Sequence, residues 1–496
     1  MPVYRDEAPG EHMMRSIPSL RGRAGGVLVM VLALALMLAG CSTGDGDDSS
    51  MPASAPPELA TVPPSQIEGL DTIVEEDFGP GRVTFASLPI VPGAESFTDE
   101  IQIVVDADIE RFTADTEPGD IEPVPELQVT WDLVAASPEV LGARIRTREL
   151  FATGDDGRVA TAWYDVAADA GYLAAALIAD GATQELSSRL RAVAVSDPRI
   201  DDALLDRALA EDADVFDALA FTPEGDLYVE FDQGLVADEE LGPVALAVDS
   251  AGLLSPLGES AQAAATDPSD PSLASATPTA PPAPSPTGPP PDTDGVDCGQ
   301  AQCVALTFDD GPVQGTADLL DVLAEKGAKA TFFVVGSNAA AQPDLLARMV
   351  EEGHVVGNHT EDHPDLTKLD SSAVRSEIEQ VNDTVEAATG VRPALLRPPY
   401  GASNDTVDGV TAELGMSQIL WNVDPEDWKD RDSAIVEQRV VANTAAGDIV
   451  LSHDIHETTR AAYADIIDQL QAEGFVLVTV PTLLGSLEPG QRYYSR

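Results

Sequence analysis

Apolar and polar positions alternate on two scales along this chain. After residue 300, short apolar runs are separated by longer amphipathic segments. "VALTF" (304–308), "KATFFVVG" (329–336), "HVVGNH" (354–359), "ALLR" (394–397), "SQILWN" (417–422), "GDIVLSHD" (447–454) and "GFVLVTV" (474–480) read as strands. Between them "TADLLDVLAEKG" places Leu319, Leu320 and Leu323 on one helical face, and "PDLLARMVEEG" reads as a second helix. "SSAVRSEIEQVNDTVEAATG" is a third, started by Ser and stopped by Gly. Repeated βα units give parallel strands covered by helices, in a barrel or an open sheet. In both, function gathers at the C-terminal ends of the strands.

The chain before residue 260 has a different pattern. "EIQIVVDADI" (100–109), "LQVTWDL" (127–133), "ARIRTREL" (143–150) and "DLYVEFD" (226–232) read as strands, with turns such as "TGDDGRV" between them. "QELSSRLRAVAV" (184–195) reads as a helix, so this part is α+β. It carries no cluster of His or Cys. Two low-complexity stretches bound it. Residues 41–64, with "STGDGDDSSMPASAPPELATVPP", read as a disordered tether. Residues 261–296, with "TPTAPPAPSPTGPPPDTDG", read as a Pro/Ala/Ser-rich linker spanning about 30–36 Å if flexible. The expected domains are 65–260 and 297–490: an α/β distorted barrel preceded by a separate α+β domain.

Residues 1–40 read as a targeting segment. Arg15, Arg21 and Arg23 precede "GGVLVMVLALALMLAG", an apolar run of 16 residues, short for a membrane span and suited to a signal peptide. It closes on Leu38-Ala39-Gly40-Cys41, which resembles the lipobox of bacterial lipoproteins. The resemblance implies a lipid on Cys41 and an exported chain anchored to the outer face of the cytoplasmic membrane. Cys298 and Cys303, in "DCGQAQC", then read as a small disulfide loop, since two thiols alone are a poor zinc site. The charge balance, 27 basic against 86 acidic residues for a net −59, repels nucleic acid and anionic headgroups and excludes nucleic acid as a partner. It needs no function beyond solubility.

The candidate chemistry lies in the second domain. "VALTFDDGP" ends a strand in two adjacent acids, Asp309 and Asp310. Neighbouring carboxylates repel each other and resist desolvation, so a compensating partner is expected. Five of the six histidines lie after residue 350. His359 and His363, in "GNHTEDHP", are spaced to share one turn, as a metal site requires. "LLRPPYG" puts Arg397 at a strand end before Tyr400, "NVDPEDWKD" offers Asp424, Asp427 and Trp428, and "IVLSHDIH" ends another strand with His453. Each alone could be structural; several polar groups at the same end of successive strands call for a site.

In order, T-F-D-D-G-P, H-T-x-x-H, R-P-P-Y, D-x-x-D-W and L-S-H resemble the five motifs of the polysaccharide deacetylase (NodB-homology, carbohydrate esterase family 4) family, over about 299–490. The resemblance implies a distorted (β/α) barrel with fewer than eight regular units. It implies one divalent metal on Asp310, His359 and His363, most often Zn2+, with Co2+, Mn2+ or Ni2+ as alternatives. Asp309 would be the general base, oriented and kept ionised by Arg397. The backbone N–H of Tyr400 would help hold the oxyanion. His453 would protonate the departing amine, partnered by Asp427 or by Asp424, and Trp428 and Leu451 would line the slot for the acetyl methyl. Glu361, between the two histidines, departs from the aromatic or small residue expected there. The order of "ASPEVLGARIRTREL", "TAWYDVAADAG" and "ALAFTPEGDLYVEFDQGLVA" more loosely resembles the DUF3298, or RsiV-like, domain over 120–255, which implies wall-facing binding or positioning.

The expected function is removal of N-acetyl groups from cell-wall glycan, peptidoglycan first. Chitin-like oligomers and O-acetyl xylan are alternatives within the same chemistry. A wall-binding or sensing lipoprotein with a non-catalytic deacetylase scaffold is the alternative of another class; the intact acid, base and ligand positions argue against it.

Overall fold

The computed structural model describes residues 56–77, 81–116, 124–151, 154–211, 215–266 and 295–496. The signal segment, Cys41 and most of the 261–296 linker lie outside the described residues. The first sheet has six strands in chain order: β1 (Asp71–Asp77), β2 (Val83–Ile90), β3 (Glu126–Ala136), β4 (Val140–Phe151), β5 (Gly154–Asp165) and β6 (Ala170–Leu173). Neighbours are antiparallel except β2 and β3, which run parallel. A parallel pair needs a crossover, and the helix Glu95–Asp115 provides it.

That helix overturns one expectation. "EIQIVVDADI" reads as a strand because its β-branched residues alternate with polar ones. The wider window decides otherwise: Phe97, Ile101, Val105, Asp108 and Phe112 recur at helical spacing and are buried, while Ile103 is 56% exposed. The buried row packs on Leu127, Val129, Leu133, Leu141 and Ile145 of the sheet. A second core gathers around Trp163, Phe221 and a small antiparallel sheet of β7 (Leu219–Phe221), β8 (Leu227–Phe231) and β9 (Val244–Val248).

Both expected linker boundaries also shift. Residues 56–64 include Ala60 and Val62, both buried, and Ala60 N–H donates to Phe221 O at 2.9 Å, so this stretch is packed chain. At the other end the helix Pro256–Thr266 carries the first part past residue 260, because Ala261, Ala264 and Ala265 enter its core.

The second part is a curled sheet of eight strands, β10 (Cys303–Asp309), β11 (Ala330–Val334), β12 (Val355–Asn358), β13 (Leu395–Leu396), β14 (Ser417–Ile419), β15 (Ile449–Val450), β16 (Val476–Leu477) and β17 (Arg492–Tyr493). All its pairings are parallel, in the order β15-β10-β11-β12-β13-β14-β17, with β16 also on β10. Leu319, Leu320 and Leu323 pack on Val304, Leu306 and Phe308, as the helical face of 316–326 predicts. Cys298 and Cys303 are joined by a disulfide at the entry to β10.

The six-stranded sheet lies directly on the barrel. Gln342 Nε2 donates to Leu70 O (2.8 Å), Gln314 N–H donates to Asp71 Oδ1 (2.7 Å), and Lys368 Nζ reaches Val124 O (2.6 Å) and Glu126 (3.0 Å). Arg146 pairs with Asp362, Ala341 joins the sheet's core, and Leu150 joins the barrel's. The contact falls on the face where β10, β12 and β13 end.

Candidate active site

Strand ends and strained turns place the site. Asp309 is the last residue of β10, and Asp310 follows with φ 70°. Thr360 (72°), His363 (60°) and Tyr400 (59°) also hold left-handed backbone, a conformation that costs a non-glycine residue energy and persists where surrounding contacts impose it. Together they turn His359, His363 and Tyr400 toward Asp310.

The ligand atoms of Asp310, His359 and His363 lie within 4.8 Å of one another, all buried. His359 Nε2 is 3.4 Å and His363 Nε2 3.3 Å from Asp310 Oδ1, a buried oxygen with no hydrogen-bond partner. His359 Nδ1 is 2.6 Å from Arg397 O, a carbonyl that only accepts, so Nδ1 carries the proton and Nε2 keeps its lone pair. His363 Nδ1 is 3.1 Å from Tyr400 Oη. Burial lowers both imidazoles, His363 well below its ordinary value, and neutral imidazole is the ligating form. Burial pushes Asp310 well above the carboxylate range. An orphaned carboxylate oxygen facing two neutral imidazoles is the donor set a divalent ion takes, and the residues fit such an ion.

Asp309 has a different partner. Arg397 Nη1 donates to Asp309 Oδ1 at 2.7 Å and to Thr307 Oγ1 at 2.7 Å, while Nε and Nη2 donate to Ile419 O (3.0 Å) and Leu420 O (3.2 Å). The guanidinium is fully buried and lies 4.3 Å from the Phe333 ring centroid. A buried charge is tolerable only when paired and hydrogen-bonded, and this one is. The adjacent acids divide their work: Arg397 takes Asp309, and the two histidines face Asp310.

His453 Nδ1 lies 2.9 Å from Asp427 Oδ1, and Asp427 Oδ2 accepts from His453 N–H (2.8 Å) and Thr459 Oγ1 (2.9 Å). Burial opposes both charges, yet the pairing prevails: Asp427 stays below the carboxylate range, and His453 rises well above the imidazole range. The partner of His453 is therefore Asp427. Asp424 instead accepts from Glu426 N–H at 2.8 Å and borders the cavity. A cavity of about 210 Å3 joins these groups, lined also by Tyr400, Trp421, Trp428 and Leu451. Every expected site residue of the barrel borders it except Arg397 and Asp427, which stand behind Asp309 and His453.

Sequence reasoning missed several residues here. Trp421 follows β14, and His456 follows His453 by three; both were visible in motifs already singled out. Glu76, Phe85 and Gln128 had no local signal, because they come from the six-stranded sheet. Phe85 stacks on His363 (centroids 4.4 Å apart, planes at 18°), and Gln128 Nε2 donates to His363 O at 2.6 Å.

A carboxylate, two neutral imidazoles, an arginine-held carboxylate and a carboxylate-held imidazole at the C-terminal ends of parallel strands are the parts of a metal-assisted hydrolase. The family profile described as polysaccharide deacetylase matches residues 297–419. Over 193 residues the chain is 37% identical to the chitooligosaccharide deacetylase of Rhizobium leguminosarum bv. trifolii, covering 36% of this chain and 90% of that protein. The chain belongs to the polysaccharide deacetylase family. It is 44% identical over 195 residues to the peptidoglycan-N-acetylglucosamine deacetylase PgdA of Listeria monocytogenes, 39% of this chain and 41% of that one. The peptidoglycan-N-acetylmuramic acid deacetylase PdaC of Bacillus subtilis is also 44% identical, over 36% of this chain and 38% of its own length. A solved structure of PdaC matches at 42% identity over 38% of this chain and 92% of that one, with a TM-score of 0.36. The chain thus spans less than half the length of the Listeria and Bacillus proteins.

Proposed function

We propose that this chain is a metal-dependent hydrolase that removes N-acetyl groups from cell-wall glycan, with peptidoglycan N-acetylglucosamine or N-acetylmuramic acid as substrate. One observation carries the reading: Asp310 with His359 and His363, Asp309 with Arg397, and His453 with Asp427 converge on a single cavity. The choice of glycan follows the relatives, two of which are named for peptidoglycan sugars. Zinc is the proposed metal, since one carboxylate and two imidazoles form an ordinary open zinc set; Co2+, Mn2+ and Ni2+ share that donor preference less closely.

Bound at Asp310, His359 and His363, such an ion supplies Lewis acidity toward the acetyl carbonyl and toward water. Asp309 acts as general base, taking the proton of the attacking water, while Arg397 holds it ionised and aimed. The backbone N–H of Tyr400 donates to the oxyanion of the tetrahedral intermediate. His453 gives its proton to the sugar nitrogen as the C–N bond breaks, leaving acetate and a free amine. Asp427 fixes the tautomer that puts the transferable proton on Nε2. Trp428 and Leu451 enclose the acetyl methyl. With a lipid on Cys41, the enzyme is held outside the cytoplasmic membrane, facing the wall.

The test incubates the full chain, zinc-loaded or chelator-stripped, with N-acetylglucosamine oligomers and with peptidoglycan fragments, and reads acetyl loss by mass spectrometry. Loss of 42 Da units only with metal, about the mass of one acetyl replaced by hydrogen, supports the reading. No loss from any glycan by a metal-loaded chain would sink it.

A further inference from the structure

We propose that Phe85 and Gln128, neighbours across β2 and β3 of the six-stranded sheet, are positioning residues for His363, so that one metal ligand of the barrel is held by the first domain. The inference rests on the metal-dependent reading above and keeps the protein ligands at Asp310, His359 and His363. Phe85 and Gln128 are direct cross-strand partners, and both are buried. The Phe85 ring stacks on the His363 ring, with centroids 4.4 Å apart and planes at 18°. Gln128 Nε2 donates to His363 O and to Glu126 Oε1, each at 2.6 Å. Both partners accept, which fixes the amide with its NH2 end toward the barrel.

His363 needs such support. Its backbone is left-handed, with φ 60°, and an imidazole turns easily about its last side-chain torsion. The barrel gives the ring edge contacts, from Tyr400 (centroids 4.8 Å apart, planes at 81°) and His359 (4.8 Å, 68°). Phe85 adds the flat face that stops the ring from turning. Glu126, on the same face of β3 as Gln128, fixes the chain beyond: it accepts from Asp365 N–H at 3.2 Å and pairs with Lys368 Nζ at 3.0 Å. Arg146 holds Asp362, just before His363, at 3.2 Å. Residues 362, 363, 365 and 368 are thus each tied to the sheet. His359 instead takes its orientation from Arg397 O, inside the barrel. The two imidazole ligands are held by different domains.

The experiment uses the full chain and three proteins: wild type, Phe85→Leu and Phe97→Leu. Phe85→Leu keeps an apolar side chain at the contact but removes the stacked ring. Phe97→Leu makes the same change at a ring buried near Tyr164 in the first domain's own core, so it controls for lost stability. Zinc affinity is measured by chelator competition, and the visible absorption of the Co2+ form is recorded. Expected is a loss of affinity of about tenfold in Phe85→Leu, within the range for removing a group that supports a metal ligand, with shifted Co2+ bands. Phe97→Leu should match wild type in both. Hydrogen exchange of wild type alone gives a readout free of any folding defect. Coupling is reciprocal, so zinc should slow exchange in β2 and β3. Equal zinc affinities in Phe85→Leu and wild type, an equal loss in both variants, or no zinc effect on exchange in those strands would overturn the inference and leave the deacetylase reading standing. Failure of wild type to bind zinc at one per chain would overturn both.

Discussion

The cavity has two walls, and they are held in different ways. On the barrel side two of the acids are met within the same domain: Arg397 spends its donors on Asp309, Thr307 and two carbonyls, and Asp427 is matched by His453 and Thr459. On the sheet side, Glu76 and Phe85 reach the site across more than 200 residues of sequence, and one Glu76 oxygen meets no donor. The barrel wall is thus pre-organised chemistry, fixed by its own hydrogen bonds. The sheet wall is a contact surface whose fit depends on docking. A wall of the first kind should show its effects in turnover, and one of the second kind in metal retention and stability.

The largest expected effect comes from Asp309. Asp309→Asn keeps the shape and the Arg397 contact but removes the base, so turnover should fall about 10²–10⁴-fold with zinc content unchanged. Loss of zinc together with activity would mean that the two acids do not divide their roles, and the comparison would break on the barrel side. Asp427→Asn comes next, with about a 10–100-fold loss expected from a misoriented His453. It carries a pH signature as well. Asp427 raises His453, which keeps the imidazole protonated toward alkaline pH, so the alkaline fall in kcat/KM should begin at lower pH in the variant. An unmoved alkaline limb would remove His453 from the role of acid.

A third prediction separates barrel fold from barrel site. His354 was not assigned any chemistry, and its side chain is fully buried, with Nδ1 accepting from Ala330 N–H at 3.1 Å. Burial, helped by Lys329 and Arg348, pushes its imidazole down to about 4. The unfolded chain therefore binds more protons here than the folded chain, and stability falls as pH falls from about 6.5 to 4. The loss through that window should be about 2–3 kcal/mol, and His354→Asn should flatten it in denaturant titrations. An equal slope in both proteins would refute the assignment.

Much of the barrel was legible because its signals are local. Most strands contain a short apolar run, and Asp309, Asp310, His359 and Arg397 sit at the end of a strand or one residue past it. The choice between Asp424 and Asp427 was not legible, since a bend after Asp424 turns its carboxylate onto Glu426 N–H while Asp427 begins the next helical turn. In the first domain "EIQIVVDADI" satisfied both a strand and a helix pattern over ten residues. Only the longer row from Phe97 to Phe112 separates them. Glu76 and Phe85 had no signal at all: each occupies an ordinary position in an alternating strand, and their relation to His363 exists only once two domains are packed.

Glu361 lies at the seam between the two walls and gives the smallest expected effect. Its place between His359 and His363 raised the prospect of an altered metal site. Its side chain instead leaves the metal side, closing on Gly336, where a Cβ would collide with its carboxyl, and bordering a groove with Trp131 and Thr61 of the first domain. Burial pushes its carboxyl up to about 8, and Asp362 adds to that. Glu361→Gln should therefore leave zinc affinity within about twofold of wild type, far below the 10–100-fold range for groups that support a metal. Chelator competition measures this directly. A tenfold loss would show that the seam transmits to the ligands, and the division between a self-sufficient barrel wall and a docked sheet wall would have to be redrawn around residues 359–363.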